Sequence, residues 1–327
     1  MEKYNSALNK MSSMIHALDI LDQADGPMSV HRNLADGYMD LTIYSVLPGI
    51  YMVKNDIHAS SVPTLGEAMP FEIYTVNYCV DGRCEYRLSD DNYSYVIKNL
   101  MTVSTGTIPG SFYYPSSCYL GYEIYIAPSL FSEKTKQILE TFQIAFTDFP
   151  NYYPCNAPAG IADLWKSLEQ QMEKENTGAV RLITLQLLYM IINGEMPGMQ
   201  HTVFLTKTQA HLAKKLKEIL TENFSRHIAV RTVADTYGIS ETSLKNYFRY
   251  VYGMNVSTYL NKARMEYAGR LLSETTLSIA DIARSCGYTN QGRFAKVFCD
   301  YYQVKPLDYR RASRQESCSI SPRIPFS

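Results

Sequence analysis

Histidine is scarce and badly placed for metal chemistry. The 327 residues include six, His16, His31, His58, His201, His211 and His227, and none falls between Phe71 and Ile126, the strand-rich stretch where ligands would have to converge. Metal-dependent strand-rich enzymes gather several His and carboxylate ligands from adjacent strands, so a metal site is not expected. Cysteine builds no framework either. The seven residues Cys79, Cys84, Cys118, Cys155, Cys286, Cys299 and Cys318 are odd in number and irregularly spaced, without paired CxxC motifs. That pattern points to neither a disulfide scaffold nor a zinc module. The longest apolar run, Leu182 to Ile192, is broken by Thr184 and Gln186 and falls short of the roughly 20 residues a membrane span needs. The N-terminal MEKYNSALNK lacks the apolar core of a signal peptide. A cytoplasmic protein away from membranes is therefore expected. GxSxG, phosphate-loop and HExxH motifs are absent, so no catalytic residue and no cofactor is indicated.

What remains has an ordinary globular composition, 46% hydrophobic and 19% charged. The length suggests two domains. The net charge of −1 conceals a division: residues 207–327 carry 19 Lys+Arg against 10 Asp+Glu, a net of +9, which leaves −10 for residues 1–206. A basic C-terminal part on an acidic body suits contact with a polyanion, or two halves that attract each other.

From Leu41 to Ile126 the chain alternates segments rich in Tyr, Val, Ile and Phe, such as Phe71–Cys79 and Tyr119–Ile126, with turn residues such as Ser89-Asp90-Asp91-Asn92. Many short strands with regular turn signals predict a β-barrel or sandwich. Val80-Asp81-Gly82-Arg83, flanked by Cys79 and Cys84, reads as a hairpin turn. Helical content is possible near Met11–Leu21, and helices are predicted at Ser129–Phe142, Ile161–Lys174 and Val180–Ile192, the last stopped by Asn193-Gly194. The last two could finish the core of the barrel or form a dimer surface. The predicted division is a domain at 1–194, a linker at 195–206, an all-α domain at 207–312 and a tail at 313–327.

The C-terminal domain contains an internal repeat. Val233-Ala234 matches Ile282-Ala283, Gly238 matches Gly287 and Ile239 matches Tyr288; Leu244 then matches Phe294 and Phe248 matches Phe298, with one extra residue in the second turn. Duplication of this kind marks repeated structural units. In each unit a small residue lets two helices cross closely, and a glycine supplies a left-handed helix end. Ser240 or Thr289 can cap a second helix, which buries Leu244 and Phe248, or Phe294 and Phe298, on one face. This is the helix-turn-helix pattern, at about 230–252 and 278–302. A long helix from Val256 to Leu272 joins the units. If it holds the second helices roughly parallel, they can enter successive major grooves about 34 Å apart.

SIADIARSCGY…F…F from Ser278 to Phe298, PLDYR from Pro306 to Arg310 and YLNKARMEYAGRLL from Tyr259 to Leu272 resemble the AraC/XylS family of transcription regulators over about Lys207 to Arg311. Gln303, where the family often has glycine, and Gly292, inside the second reading helix, depart from its pattern. The resemblance implies an α+β protein: an N-terminal cupin-like β-barrel with a helical extension that senses a small-molecule effector or dimerises, and a C-terminal all-α tandem helix-turn-helix domain. It implies double-stranded DNA, a second copy of the chain and RNA polymerase as partners. By position it assigns DNA contacts to Thr242, Lys245, Asn246 and Arg249, with Gln291, Arg293 and Lys296 on the matching face of the second helix, while the helix N-termini at Ser240 and Thr289 can add phosphate contacts through backbone N–H groups. Arg and Lys favour guanine O6/N7, Asn and Gln adenine N6/N7, while phosphate contacts give affinity without sequence choice. Two alternatives stand beside a ligand-responsive activator or repressor: a regulator controlled by a partner protein, and an enzyme domain fused to a DNA reader. The tyrosines of the strand-rich region either line a pocket or pack in the core.

Overall fold

A computed structural model of the chain describes residues 22, 25–63, 72–88, 91–106, 111–146, 149–194, 198, 203–222, 224–226 and 228–316. The helical content near Met11–Leu21, most of the suggested linker and the end of the tail lie outside the described residues. The chain forms two compact units, Met1–Phe204 and Leu205–Ser327.

The first unit begins with β1 (Met28–Leu34), β2 (Gly37–Leu47) and β3 (Ile50–His58), then a short β4 (Ser61–Pro63) and a long β5 (Ile73–Arg87). It continues with β6 (Asn92–Ile97), β7 (Leu100–Gly106), β8 (Ser111–Tyr113) and β9 (Tyr119–Ile126). Helix α1 (Glu133–Thr141), β10 (Tyr152–Asn156), α2 (Ala159–Glu173) and α3 (Thr177–Asn193) complete it. The main sheet runs β1-β2-β3-β9-β5, with every pair antiparallel. Beyond β5, β6 and β7 follow one another along one edge: Arg83–Arg87 pairs with β6, and Ile73–Tyr78 pairs with β7. Strand β7 in turn carries β10, and β4 pairs β8 in a separate ribbon.

This corrects the expected cupin-like barrel. Among the described residues β1 pairs only with β2 and β10 only with β7, so the sheet does not close. Strand β5 carries β6 and β7 one after the other along a single edge, Arg83 pairing with Ile97 and Tyr78 with Met101, and among the described residues no strand beyond them pairs with β1. The same strand corrects the hairpin expected at Val80-Asp81-Gly82-Arg83. The chain does not turn back there; the register against β9 shifts between Cys79 and Asp81 as a bulge. Alternation would put residues five apart on opposite faces, yet Cys79 and Cys84 are both buried in one cluster with Tyr119. The extra residue of the bulge supplies the missing half-period. Gly82 is required beside it: its φ is +86°, and a Cβ there would lie 2.2 Å from the Cys118 carbonyl oxygen.

Helices α2 and α3 cover one sheet face. Trp165, 1% exposed, stacks on Tyr78 and Tyr122 at centroid distances of 5.4 and 6.1 Å. Leu168, Leu187 and Leu188 pack with it against Met52, Val76 and Ile124. Arg181 Nε donates to the Ser45 carbonyl at 2.9 Å, tying α3 to β2. The outward side of α3 leaves Leu182 70% and Tyr189 47% exposed. Many of the tyrosines are engaged in packing, as in Tyr86–Tyr152 and Tyr114–Tyr119.

The second unit is helical: α4 (Lys207–Glu222), α5 (Val230–Thr236), α6 (Glu241–Tyr252), α7 (Val256–Glu274), α8 (Ile279–Ser285), α9 (Gln291–Tyr302) and α10 (Pro306–Glu316). Met265, Ala268 and Leu272 of α7 share a core with Ile282, Ala283, Phe294 and Phe298. At Gly269 a Cβ would lie 2.6 Å from the Tyr302 hydroxyl, so the absence of a side chain lets α9 and α10 seat their tyrosines on α7. Among the described residues no helix is long and apolar enough to cross a membrane.

Candidate nucleic-acid interface

Two helix pairs, α5–α6 and α8–α9, are built the same way. Ala234 and Ala283 are buried at the crossings, with Val233 and Ile282 beside them. Gly238 and Gly287 both take positive φ, +64° and +81°, where a side chain is disfavoured. Ile239 N–H donates to the Ala234 carbonyl at 3.2 Å, and Tyr288 N–H donates to Ala283 at 2.9 Å. Leu244 and Phe248 of α6, and Phe294 and Phe298 of α9, have no exposed surface.

The caps show where the repeat slips. The Ser240 hydroxyl accepts from Ser243 N–H at 3.0 Å and starts α6. The matching cap on α9 is Asn290, which accepts from Arg293 N–H at 2.9 Å; the expected Thr289 is the inserted residue. From the cap onward the two reading helices correspond at an offset of 50. Thr242 then stands opposite Gly292, Lys245 opposite Ala295, Asn246 opposite Lys296 and Arg249 opposite Cys299. The outer stripe of α6 therefore carries four polar side chains, and that of α9 carries one, supplemented by Gln291 and Arg293.

The positions named from the sequence, Ser240, Thr242, Lys245, Asn246, Arg249, Gln291, Arg293 and Lys296, are all exposed. On α6 the last four of its five lie at helical intervals on one stripe. Lys245 Nζ is 2.5 Å from the Glu241 carboxylate one turn earlier, a pairing the sequence reading did not include.

Arg264 joins the two halves of the unit. Its guanidinium donates from Nη2 to the Phe224 carbonyl at 3.1 Å and lies 5.9 Å from the centre of the Tyr288 ring. Gly287 is close by, and a Cβ there would strike the Phe224 carbonyl at 2.2 Å. The turn of the second pair is thus held against the loop that precedes the first. At the far end Arg310 Nη2 donates to the Leu277 carbonyl at 2.6 Å.

The first unit holds a polar cluster that sequence reasoning missed. Asn77 Nδ2 donates to Glu123 Oε1 at 2.6 Å, the Tyr119 hydroxyl donates to Asn77 Oδ1 at 2.8 Å, and the Tyr125 hydroxyl donates to the other Glu123 oxygen. Burial pushes the Glu123 carboxyl above the usual carboxylate range, and hydrogen bonds from Tyr125 and Asn77 limit the rise. The only sequence signal was an acid within an otherwise apolar and aromatic strand. Burial also pushes the Cys79 and Cys286 thiols up to about 12, the opposite of what a reactive cysteine needs. Among the described residues no group of three or more His, Cys, Asp or Glu side chains gathers as a metal site.

A family described as a helix-turn-helix domain matches residues 233–312, the span of both pairs. The chain resembles the AraC/XylS transcription regulators. Over 103 residues, 32% of this chain and 37% of the other, it is 33% identical to the HTH-type transcriptional activator RhaR of Klebsiella pneumoniae subsp. pneumoniae. Over 93 residues, 28% of this chain and 33% of the other, it is 31% identical to the lactose operon transcription activator of Staphylococcus xylosus. Among solved structures, the C-terminal domain of AraT, a response regulator from Geobacillus stearothermophilus, is 29% identical; the match covers 31% of this chain and 84% of that one at a TM-score of 0.30. The curated relatives that the chain matches are DNA-binding transcription regulators, not enzymes. The chain spans 33% to 54% of the length of relatives such as these, so the likeness is one of the DNA-reading part.

Proposed function

We propose that the chain is a sequence-specific DNA-binding transcription regulator that responds to a small molecule bound by its first unit and acts as a homodimer. One observation carries the DNA reading: two helix pairs with the same buried crossing and positive-φ glycine, the second with one extra residue before its cap, each turn a polar helix face to solvent. In this reading α6 and α9 enter the major groove with Ser240, Thr242, Lys245, Asn246 and Arg249, and with Gln291, Arg293 and Lys296, divided between bases and phosphates. Unpaired N–H groups at the two helix starts add phosphate contacts. The net of +9 over residues 207–327 supplies the long-range attraction. Response to a small molecule is supported by the likeness to regulators such as the lactose operon transcription activator. Association of two copies is supported by the exposed Leu182 and Tyr189 on α3. The effector shifts DNA affinity only to the extent that it binds two states of the protein differently.

The experiment is selection of duplexes from a randomised pool by the purified chain, followed by affinity measurements at several salt concentrations. Binding should weaken steeply as salt rises, because phosphate contacts release counterions. Arg293→Ala should cost about 1–3 kcal/mol with relaxed preference at one base position. Absence of any salt-dependent duplex binding would refute the proposal.

A further inference from the structure

A cavity of about 540 Å³ opens in the first unit against the last turn of α3. Its walls include Val103, Phe149, Pro150, Tyr153, Ile191 and Ile192. The hydrogen-bonding side chains among its described lining are Gln143, Tyr153 and Asn193, and no charged side chain is among them. Several walls are held in place. Val103 and Tyr153 are direct cross-strand partners in the β7–β10 pair. Thr105 Oγ1 donates to the Pro150 carbonyl at 3.2 Å, and the Phe149 ring lies 4.9 Å from that of Tyr74. On the helix side, Asn193 Nδ2 donates to the Gln143 carbonyl at 3.1 Å, and Gly194 N–H closes α3 on the Met190 carbonyl at 3.0 Å.

We infer that this cavity binds a small, uncharged, largely apolar molecule, aromatic or alicyclic, bearing one or two hydrogen-bonding groups. The volume falls within the range of small-molecule sites, about 300–1,000 Å³. The lining offers an ionic ligand no counter-charge, while its apolar faces favour a neutral ring. A neutral ring buries its faces on Phe149, Ile191 and Ile192 and keeps its polar atom for Gln143, Tyr153 or Asn193. The position also bears on regulation. Ile191 to Asn193 are the final residues of α3 and Gly194 caps it, so occupancy bears on the end of the first unit that precedes the DNA-reading unit in sequence. That consequence rests on the regulator reading; the site itself does not. It is also separate from the Glu123 cluster, which shares no residue with it.

The test uses the full chain with indole, p-cresol and cyclohexanol as neutral probes, and benzoate and benzylammonium as charged counterparts. Saturable binding is measured by calorimetry and ligand-observed NMR. The neutral probes should bind at least about tenfold more tightly than the charged ones, a difference of about 1.4 kcal/mol. Ala145→Trp, which fills the cavity from an exposed loop position, and Ile192→Phe, which fills it from the helix side, should each weaken binding about tenfold or more. Lys166→Ala, at an exposed position of α2, should leave it unchanged. Absence of saturable binding, equal binding of charged probes, or wild-type binding by both folded filling variants would overturn the inference. Duplex affinity without any probe is measured in parallel. Normal duplex binding with no probe binding sinks this inference alone; probe binding without duplex binding sinks the regulator reading alone.

Discussion

Replacing Glu241 by Gln should tighten DNA binding while slightly weakening the fold. In the free protein Lys245 Nζ rests 2.5 Å from the Glu241 carboxylate, with the two side chains 52% and 37% exposed. An exposed helical pair of this spacing contributes about 0.3–0.5 kcal/mol, which Lys245 gives up when it turns to a phosphate. The carboxylate itself also approaches the backbone. A unit charge about 8 Å from a phosphate in water costs roughly 0.5 kcal/mol before screening, and about a third of that after it at physiological salt. Summed over two or three nearby phosphates, both effects come to about 0.7–1 kcal/mol, a three- to fivefold gain in affinity. The gain should be nearly independent of sequence and should shrink as salt rises. The same acid stands in the first turn of α6, where a negative charge favours the helix by about 0.3–1 kcal/mol, so the melting temperature should fall slightly. Fluorescence anisotropy with a labelled mixed-sequence duplex at two salt concentrations, alongside thermal unfolding, tests this. Unchanged or weaker binding would show that Lys245 does not turn toward phosphate and that the α6 stripe is misplaced.

Gln303→Gly should stabilise the second unit. Gln303 ends α9 at φ +59°, a left-handed state that costs an L-residue about 1–2 kcal/mol. Glycine removes that cost but brings about 0.5–1 kcal/mol of its own chain entropy, leaving a net gain of up to about 1.5 kcal/mol in chemical denaturation; a loss would contradict the strain. Arg264→Met keeps the side-chain stem but deletes the bond to Phe224 and the contact with Tyr288, and should destabilise by about 1.5–3 kcal/mol, with a larger loss of duplex affinity than of secondary structure by circular dichroism. Glu123→Gln bears on pH. Since the folded state raises this carboxyl, the fold binds its proton more tightly than the unfolded chain does. The stability from this group is therefore full below the ordinary carboxylate pKa and is lost as pH rises through the folded value. The variant should be more stable than the wild type at pH 7, with a gain that shrinks toward pH 4; a gain constant with pH would place its cause outside titration.

The second unit was legible in the sequence to nearly single-residue detail, because a helix-turn-helix states its geometry in short-range terms. Glycines at positive φ, alanines at crossings and aromatic pairs four apart are all local. The exception was the cap. Thr289 is a good capping residue by type, but the inserted position falls just before Asn290, and only the hydrogen bond distinguishes the two. The first unit was less legible because its order is long-range. The pairing of β5 with β9, β7 and β6 leaves no periodic trace, and an expected closed barrel became an open sheet. The Asn77–Glu123 contact joins residues 46 apart, which no local pattern reveals. Strand β1, in a stretch with little pattern of its own, and the brief β10 after α1 went unread, and β2 was read only from Leu41.

The bulge after Cys79 also governs how this protein tolerates insertion and deletion. Val80-Asp81-Gly82-Arg83 has the composition of a surface loop, a place where length normally varies freely. Here length is fixed, because the segment counts residues between two inward cysteines. Removing one residue would take out the bulge and leave Cys84 four residues from Cys79, still on the inward face, whereas adding one residue beside the bulge, or removing two, would invert the rest of the strand: Cys84 and Tyr86 would turn outward, and Glu85 and Arg87 would turn into the core. A graft or a tag at this polar tetrapeptide would therefore disrupt the fold through parity and not through bulk, and an insertion of two residues should be better tolerated than an insertion of one.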